Sequence, residues 1–270
     1  MTDRAKQRQL LLQSLTDYQM SLLKAGERLD DLYRCGLKLI QQPRYFCIGS
    51  DSVLLADFAE ILPREDVLDV GCGNGGMTLL LYVKCPQAHY TGVEVMANCA
   101  DLARRNVLLN GLAKDIAIID GDFRGLADGG KKYDKIICNP PYMPLSSKRL
   151  SSVAERAAAR FELNGTLADF FRTARAVLRV DGSFNLVVPA ARDGEVCRIA
   201  AENGFFCRRR QAVWAADGGR CLLTLWEFVL NFCQTAVLAD ISIAAADEVC
   251  KKHWPESCLH GKGGGEPPEK

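Results

Sequence analysis

Two short stretches of this chain contain residue types that can carry chemistry. The first runs from Asp69 to Gly76 and reads DVGCGNGG, and the second runs from Asn139 to Tyr142 and reads NPPY. A glycine-rich turn that joins a strand to a helix lets the backbone approach a nucleotide-like cofactor. An asparagine followed by Pro140, Pro141 and an aromatic residue forms a stiff loop. Such a loop can offer carbonyl acceptors to an amino group and a ring face to a flat substrate.

The glycine turn by itself leaves two classes of cofactor open. Gly71, Gly73 and Gly76 satisfy the G-x-G-x-x-G pattern of dinucleotide sites, where a pyrophosphate lies on the helix N-terminus and other groups serve hydride transfer. The same stretch also fits a cofactor without a phosphate, such as S-adenosylmethionine. In that interpretation Gly71, Gly73 and Gly75 let the backbone lie against the methionine part of the cofactor, and Asp69 reaches its ammonium group.

Acidic residues follow the next two predicted strands. Glu94 stands where an acidic residue accepts hydrogen bonds from ribose hydroxyls in dinucleotide folds. Asp122 is expected to bind the adenine amine, and Phe123 to lie on the adenine ring. The alternative is that these acids are ordinary surface residues at strand ends. Upstream, Ser50 or Asp51 is predicted to cap a helix; Asp51 serves only as that cap or also contacts the cofactor, and we include it among the cofactor-binding residues.

The NPPY stretch favours methyl transfer to an amino nitrogen. The lone pair of an exocyclic or amide nitrogen is delocalised into its ring or carbonyl, which makes the nitrogen a poor nucleophile. Acceptors on the Asn139 side chain and the Pro140 carbonyl can hold both N–H groups, turn the lone pair toward the methyl group and stabilise the developing charge. Tyr142 is expected to stack on the substrate, which for a base in nucleic acid implies an exposed or flipped nucleotide. The predicted catalytic residues are therefore Asn139, Pro140, Pro141 and Tyr142, and the predicted cofactor is S-adenosylmethionine.

The elements around these stretches alternate between strands and helices. Strands are predicted at 67–70, 89–93, 116–119, 133–138, 183–188, 207–213 and 221–228, and helices at 51–62, 76–84, 97–109, 166–178 and 194–202. This alternation predicts an α/β fold with a doubly wound, mostly parallel seven-stranded sheet, whose last two strands form an antiparallel pair. Ligands of such a sheet lie at the carboxyl ends of its strands.

The segments on either side of this alternation are predicted to be extensions. Residues 1–43 should contain an amphipathic helix up to about Lys24 and a hairpin between Leu32 and Ile40. Residues 44–230 should form the α/β domain. Residues 231–270 should form a C-terminal extension that ends in a disordered, glycine-rich tail.

Composition is typical of a globular protein rather than a membrane protein. The 270 residues are 48% hydrophobic, and no apolar run reaches the roughly 18 residues that span a bilayer. Without a recognisable secretory signal, we predict a cytoplasmic protein with no membrane partner. Twelve irregularly spaced cysteines indicate reduced, mostly buried thiols. The ligand types of the tail match no standard zinc spacing, so no metal is predicted; they are Cys250, His253, Cys258 and His260.

Charge gives a local rather than a global indication of a partner. The formal net charge is +1, which provides no overall field for nucleic acid. Between Lys131 and Arg160, however, seven basic residues stand against two acidic ones. Such a run either attracts a polyanion to the NPPY loop or is simply a solvated face. No obligate protein partner can be deduced from the sequence.

The segments that flank both motifs are similar to one family. They include ERLDDL from Glu27, SDSVLLA from Ser50, RN at Arg105 and ARFE from Ala159. Together with the two motifs they resemble the tRNA1(Val) (adenine-N6)-methyltransferase family, over about residues 26–228. The resemblance implies a class I, S-adenosylmethionine-dependent methyltransferase domain that acts on the adenosine beside the anticodon of a tRNA.

The resemblance also implies roles for individual residues. Asp69, Gly71, Glu94 and Asp122 match the cofactor-binding positions of the family, and NPPY matches its acceptor loop. Two other functions stay open. A glutamine-N5 methyltransferase of peptide-chain release factors uses the same loop, although its relatives carry a larger helical N-terminal domain. A non-catalytic, cofactor-binding RNA-interaction module is the second, and the intact loop argues against it.

Overall fold

The protein is built on one twisted sheet with helices on both faces. The computed structural model describes residues 9–32, 36–45, 47–140 and 165–245. Its helices are α1 (Asp17–Ser21), α2 (Ser50–Phe58), α3 (Gly76–Lys84), α4 (Ala97–Leu109), α5 (Leu167–Val177) and α6 (Asp193–Glu202). The first strands are β1 (Arg28–Asp31), β2 (Lys38–Gln41), β3 (Asp66–Val70), β4 (His89–Glu94), β5 (Ile116–Asp120) and β6 (Tyr133–Cys138). The others are β7 (Leu178–Pro189), β8 (Phe206–Trp214), β9 (Cys221–Val229), β10 (Ala236–Val237) and β11 (Ile241–Ser242). Phe123–Gly129 and Ala190–Arg192 are 3₁₀ helices.

The main sheet confirms the predicted doubly wound topology. Its strand order is β5-β4-β3-β6-β7-β9-β8, and the five strands β3 to β7 run parallel to one another. β9 runs antiparallel to both β7 and β8, as predicted for the closing pair. Because the chain builds β4 and β5 on one side of β3 and then crosses to β6 on the other, the order reverses between β3 and β6.

The sheet extends beyond the seven predicted strands. β10 and β11 both pair in parallel with β8, and both belong to the segment that we predicted to lie outside the α/β domain. Their pairing covers an edge whose backbone N–H and C=O groups would otherwise lack strand partners. Two-residue strands are too short for a periodic sequence signal, which is why the sequence did not reveal them. The glycine-rich tail lies outside the described residues.

The N-terminal extension differs from its prediction in two respects. The expected single helix is interrupted at residues 14–16, because Thr16 starts α1 with a capping box. Its hydroxyl accepts from the Gln19 N–H at 3.2 Å, and the Gln19 side chain accepts from the Thr16 N–H at 3.1 Å. The first hairpin strand is β1, which precedes the predicted position. Its antiparallel register with β2 places the buried Leu29 opposite the buried Ile40.

Helices on the two faces of the sheet form separate apolar cores. α2 and α3 pack in one core, whose fully buried members include Val53, Leu55 and Leu79. α5 and α6 pack in the other, where Phe171 contacts Phe184, Phe205 and Phe228 edge to face. These cores hold the strands in fixed register.

Helix α4 binds the N-terminal hairpin through its side-chain amides. Asn106 Oδ1 accepts from the Ile40 N–H at 2.6 Å, and its Nδ2 donates to the Ile40 carbonyl at 2.9 Å. One turn later, Asn110 makes the same pair of bonds to Lys38, at 2.8 and 2.7 Å. Four residues of helix rise about 6.0 Å and two residues of strand about 6.8 Å, so the two spacings match. The Asn106 Nδ2 also donates to the carbonyl of Asn74 in the glycine turn at 2.9 Å.

We expect Asn106→Ala to destabilise the protein by about 2 kcal/mol, because buried backbone groups of β2 and the glycine turn lose their partners. The free energy of unfolding in urea would measure this. Arg104→Ala, an exposed change in the same helix, is the matched control and should lie within about 0.5 kcal/mol of wild type. A loss from Asn106→Ala no larger than that of the control would contradict the structural role.

The described part of the basic run lies away from the predicted acceptor loop. Lys131 and Lys132 precede β6, and Lys131 lies 3.8 Å from Asp66 at the start of β3. Lys135 is 8% exposed in its side chain and lies 3.8 Å from Glu65. These three side chains therefore lie toward the amino ends of the strands, opposite the loop. The other basic residues of the run lie outside the described residues.

The described residues bear on the predictions for cysteines, membrane spans and metals. The nine cysteines of the described segments are free thiols. Cys72, Cys85, Cys99 and Cys138 are buried, and four others are half-buried. Cys197 is exposed, contrary to the expectation for a residue in an apolar stretch. No described helix is long and apolar enough to cross a membrane. No group of three or more potential ligands in the described ranges could hold a metal, and the Cys and His residues of the tail lie outside those ranges.

Candidate functional site

Four predicted site segments meet at the carboxyl edge of the sheet. Val70 at the end of β3 aligns with Val93 of β4 and with Cys138 of β6. Gly71, Glu94 and Asn139 follow these three aligned positions directly. Asp122 lies two residues beyond the end of β5 on the same edge. The glycine turn and NPPY thus flank the reversal of strand order, which is where open α/β sheets bind ligands.

The glycine turn keeps an open surface toward this edge. Gly71, Gly73 and Gly75 have φ values of 71, 56 and 78°, a region that favours glycine. A Cβ added at Gly71 or Gly73 would meet no described atom within 4 Å, whereas one added at Gly75 would lie 3.3 Å from the Cβ of Ala103. Among the described residues, Gly71 and Gly73 therefore border open space, and Gly75 allows α3 to pack against α4.

Asp69 lies at the base of the turn as a buried carboxyl with one unused oxygen. Its residue is 1% exposed, and Oδ2 accepts from the Thr78 hydroxyl at 2.6 Å. Oδ1 has no hydrogen-bond partner among the described residues. Burial raises the pKa of Asp69 to about 7, more than the Thr78 hydrogen bond lowers it. A cationic donor at Oδ1 would satisfy this oxygen and favour the ionised carboxylate.

Glu94, at the end of the next strand, forms a hydrogen bond with the glycine turn. Its Oε2 accepts from the Gly73 N–H at 3.0 Å, and its Oε1 accepts from the Met96 N–H at 2.8 Å. The side chain is buried, which raises the pKa of Glu94 in spite of these bonds. A carboxylate offers about four acceptor positions, more than these backbone bonds fill, so Glu94 can also accept hydrogen bonds from ribose hydroxyls.

Asp122 and Phe123 are both engaged within the protein. Asp122 caps the following 3₁₀ helix by accepting from the Arg124 N–H at 2.9 Å, and the Arg124 guanidinium binds both of its oxygens. These hydrogen bonds lower the pKa of Asp122. The buried Phe123 ring stacks on Phe170, with centroids 4.4 Å apart. Adenine would therefore share Asp122 with Arg124 and would not contact the ring face that Phe170 covers.

The two described residues of the acceptor loop, Asn139 and Pro140, both pack against the protein. Asn139 is half-buried, and its Nδ2 donates to the hydroxyl of Ser52 in α2 at 2.9 Å. Pro140 is buried. Pro141 and Tyr142 lie outside the described residues.

Asp51 occupies the first turn of α2 but does not cap it. Gly49 is the N-cap residue, without a side-chain cap, so the predicted cap at Ser50 or Asp51 is wrong. The Asp51 Oδ1 accepts instead from the adjacent Ser52 N–H at 2.8 Å. A Cβ added at Gly49 would lie 2.8 Å from that oxygen, so the Asp51 carboxylate fills the place of a capping side chain. Its contact with a cofactor stays a prediction.

These residues fit S-adenosylmethionine. The orphan oxygen of Asp69 matches an ammonium group, and the open glycines match the close approach of the methionine part. A pyrophosphate would lie over the same glycines, where the buried carboxyls of Asp69 and Glu94 would repel it.

Three contacts of the site were missed from the sequence. Thr78 orients Asp69, Ser52 binds Asn139, and the Val93 carbonyl accepts from the Gly71 and Cys72 N–H groups at 2.9 and 3.1 Å. Thr78 stands beyond the glycine turn and Ser52 beside the predicted cap. Neither carries a motif of its own, so only the packing reveals its partner.

Comparison with known proteins gives the family. The protein-family model described as the methyltransferase small domain matches residues 45–197. The chain is 32% identical over 198 residues to proteins named tRNA1(Val) (adenine(37)-N6)-methyltransferase. One is from Yersinia pseudotuberculosis serotype O:3, where the match covers 71% of this chain and 74% of the relative. Another, from Yersinia pestis strain Pestoides F, matches over 71% and 75%.

Solved structures agree on the fold. A predicted O-methyltransferase of Agrobacterium tumefaciens superposes with a TM-score of 0.57 at 16% identity, over 74% of this chain and 96% of that one. A transferase described as putative from Pyrococcus horikoshii has a TM-score of 0.52 at 15% identity, over 76% and 72%. These likenesses show the class I methyltransferase fold. Together with the matches in sequence, they establish that the chain belongs to the methyltransferase small domain family and, within it, to the tRNA1(Val) (adenine-N6)-methyltransferases.

Proposed function

We propose that this protein transfers the methyl group of S-adenosylmethionine to the N6 amino group of an adenosine in tRNA, next to the anticodon of a tRNA1(Val)-type substrate. Its membership of a family whose curated relatives carry that activity in their names supports the substrate. The observation that carries the chemistry is the placement of Asp69, Glu94 and Asn139 at adjacent strand ends.

The cofactor side of the reaction is assigned to the glycine turn and its acids. When bound, S-adenosylmethionine supplies an electrophilic methyl group on a positively charged sulfur. We assign Asp69 to the ammonium group, Glu94 to the ribose hydroxyls and Asp122 to the adenine amine. Gly71 and Gly73 leave room for close approach of the cofactor to the backbone.

The acceptor side is assigned to the loop after β6. The Asn139 oxygen and the Pro140 carbonyl accept from the two N–H groups of adenine N6. Their hydrogen bonds draw the nitrogen lone pair out of conjugation and stabilise the positive charge that develops on nitrogen. After transfer the nitrogen is strongly acidic and loses a proton to water, so no strong base is required. We assign Pro141 and Tyr142 to the same loop, with Tyr142 stacked on the base.

One labelling experiment separates this function from its alternatives. The protein is incubated with tritiated S-adenosylmethionine and, in parallel, with tRNA that lacks the modification, with a peptide-chain release factor and with no acceptor. We expect label in tRNA, recovered as N6-methyladenosine after digestion to nucleosides. Label in the release factor would indicate a glutamine-N5 methyltransferase, and cofactor binding without label in any acceptor would indicate a non-catalytic module.

We also propose that the protein works in the cytoplasm, where such a substrate is available. The absence of a described membrane-spanning helix is compatible with this location and does not establish it.

A further inference from the structure

One contact at the active edge joins residues that are distant in the chain. Ser52 Oγ accepts from Asn139 Nδ2 at 2.9 Å across a separation of 87 residues, and Ser52 is 4% exposed. We propose that Ser52 is a positioning residue, which sets the direction of the Asn139 carboxamide for methyl transfer. The inference rests on the proposed function, because it concerns the oxygen that receives the substrate amino group.

The geometry of a carboxamide explains how a hydrogen bond at its nitrogen affects its oxygen. Nitrogen and oxygen stand on opposite branches of the planar group, so a bond that holds Nδ2 also fixes the direction of Oδ1. The terminal torsion of asparagine has a broad, roughly two-fold preference, and rotation by about 180° exchanges donor and acceptor. With Nδ2 on Ser52, the oxygen is presented as the acceptor. With the group reversed, the Ser52 hydroxyl would have to donate to Oδ1, and an N–H would face the N–H groups of the substrate.

The backbone of Asn139 leaves this torsion as the main freedom of the side chain. Cys138 is fully buried, and β6 is paired with β3 on one side and β7 on the other. Pro140 follows directly and restricts the conformation of Asn139 to the extended region. The sheet and the proline thus place the Cα of Asn139, and the bond to Ser52 holds its carboxamide with Nδ2 toward α2.

Ser52 is itself held by a rigid element. Val53 and Leu55, its neighbours in α2, are fully buried in the core against the sheet. At the other end of α2, Lys84 Nζ donates to the carbonyls of Ala56 and Ala59 at 3.1 and 2.5 Å. The Ser52 N–H donates to Asp51 at 2.8 Å. The hydroxyl therefore has a fixed position against which the carboxamide is aligned.

The first test separates positioning from folding and from cofactor binding. We expect Ser52→Ala to lower kcat about tenfold, with the Kd of S-adenosylmethionine and the melting temperature close to wild type. Ser52→Thr keeps the hydroxyl and should stay within about threefold of the wild-type kcat. Ser50→Ala, an exposed change in the same turn, is the matched control and should have no effect. Equal kcat values for Ser52→Ala and wild type would overturn the proposal, as would failure of threonine to exceed alanine.

The second test asks whether Ser52 acts through Asn139. The cycle of Ser52→Ala, Asn139→Ala and the double variant is measured in single-turnover reactions with tritiated donor. In the Asn139→Ala background, Ser52→Ala should change the rate less than twofold. The same tenfold loss in both backgrounds would show that Ser52 acts independently of Asn139, which overturns the proposal.

The acceptor that the wild-type protein labels tests the proposed function independently of Ser52. If the wild type labels the release factor instead of tRNA, the proposed substrate fails, and the same cycle on the release factor still tests Ser52, because a glutamine amide presents equivalent N–H groups. If the wild type labels neither, both proposals fail.

Discussion

Alanine in place of Asn139 is expected to lower the rate constant of methyl transfer by about 10²- to 10³-fold and to leave the Kd of S-adenosylmethionine within about twofold of wild type. The carboxamide oxygen is proposed to act on charge that develops at the acceptor nitrogen, so its removal raises the barrier of the chemical step. The residues assigned to the ammonium group and the ribose lie on β3 and β4, and the one assigned to adenine follows β5, whereas Asn139 follows β6. Its loss should therefore leave the cofactor pocket intact.

Single-turnover rates with labelled donor, together with calorimetric titration of the cofactor, would measure the two quantities. Asn231→Ala removes the same side chain at an exposed position of the C-terminal segment and serves as the control for preparation and folding. An equal loss of cofactor affinity and rate would place Asn139 in the cofactor pocket and refute its role as an acceptor. A rate within threefold of wild type would refute any catalytic role.

Elements with strong local signals were predicted from the sequence almost residue by residue. α3 begins directly after the glycine turn, and β6 is an apolar run that ends before two prolines, so both carry start or stop signals within a few residues. The order of these elements was enough to place the glycine turn, Glu94 and Asn139 on one edge. That inference needs only the rule that parallel strands carry ligands at their carboxyl ends.

Other features of the fold depend on contacts that no local pattern specifies. The first hairpin strand was misplaced because β1 is defined by its pairing with β2 and by the burial of Leu29, and the local residues read equally well as the end of a helix. The bond between Asn106 and Ile40 spans 66 residues of sequence. A buried asparagine in a helix has no distinguishing sequence signal, so packing had to reveal that α4 ties the hairpin to the glycine turn.

The structure also changes the interpretation of the acids. Asp69, Glu94 and Asp122 look alike in sequence, each near a strand end. Burial raises the pKa of Asp69 and Glu94, whereas hydrogen bonds from Arg124 lower that of Asp122. Asp122 is thus a stable carboxylate near neutral pH, and Asp69 is the group whose charge responds to a bound cation.

Asp69→Asn is expected to stabilise the protein without its cofactor above neutral pH. The pKa of Asp69 is about 7 in the folded protein and near 3.8 when unfolded. Between about pH 4 and pH 7 the folded state keeps a proton on Asp69 that the unfolded state has released. The stabilising contribution of the protonated carboxyl is therefore complete below about pH 4. It is lost as the pH rises to 7 and stays constant above that. Asparagine cannot ionise, so the variant should be more stable than wild type at pH 8, by about 1–3 kcal/mol after the cost of its buried N–H groups. Urea unfolding at pH 5 and pH 8 would measure the difference.

The same substitution should weaken the binding of S-adenosylmethionine. Because the proposed contact pairs the ammonium group with an ionised Asp69, the wild-type Kd should rise by up to tenfold per unit as the pH falls from 7 to 5.5. Removing the charge should raise the Kd at pH 7.5 by about 100-fold, which corresponds to about 2.7 kcal/mol, and should abolish this pH dependence. Calorimetric titration of S-adenosylmethionine between pH 5.5 and 7.5 would test this pH dependence, with the exposed Asp120→Asn as control.

If Asp69→Asn gained stability but bound the cofactor as tightly as wild type, the raised pKa of Asp69 would be real and the assignment of Asp69 to the ammonium group wrong. If the affinity fell and the pH dependence remained, the titrating group would be another residue. Only the combined gain in stability and loss of pH-dependent affinity makes the buried Asp69 carboxylate a charge that is kept for the cofactor at the expense of the fold.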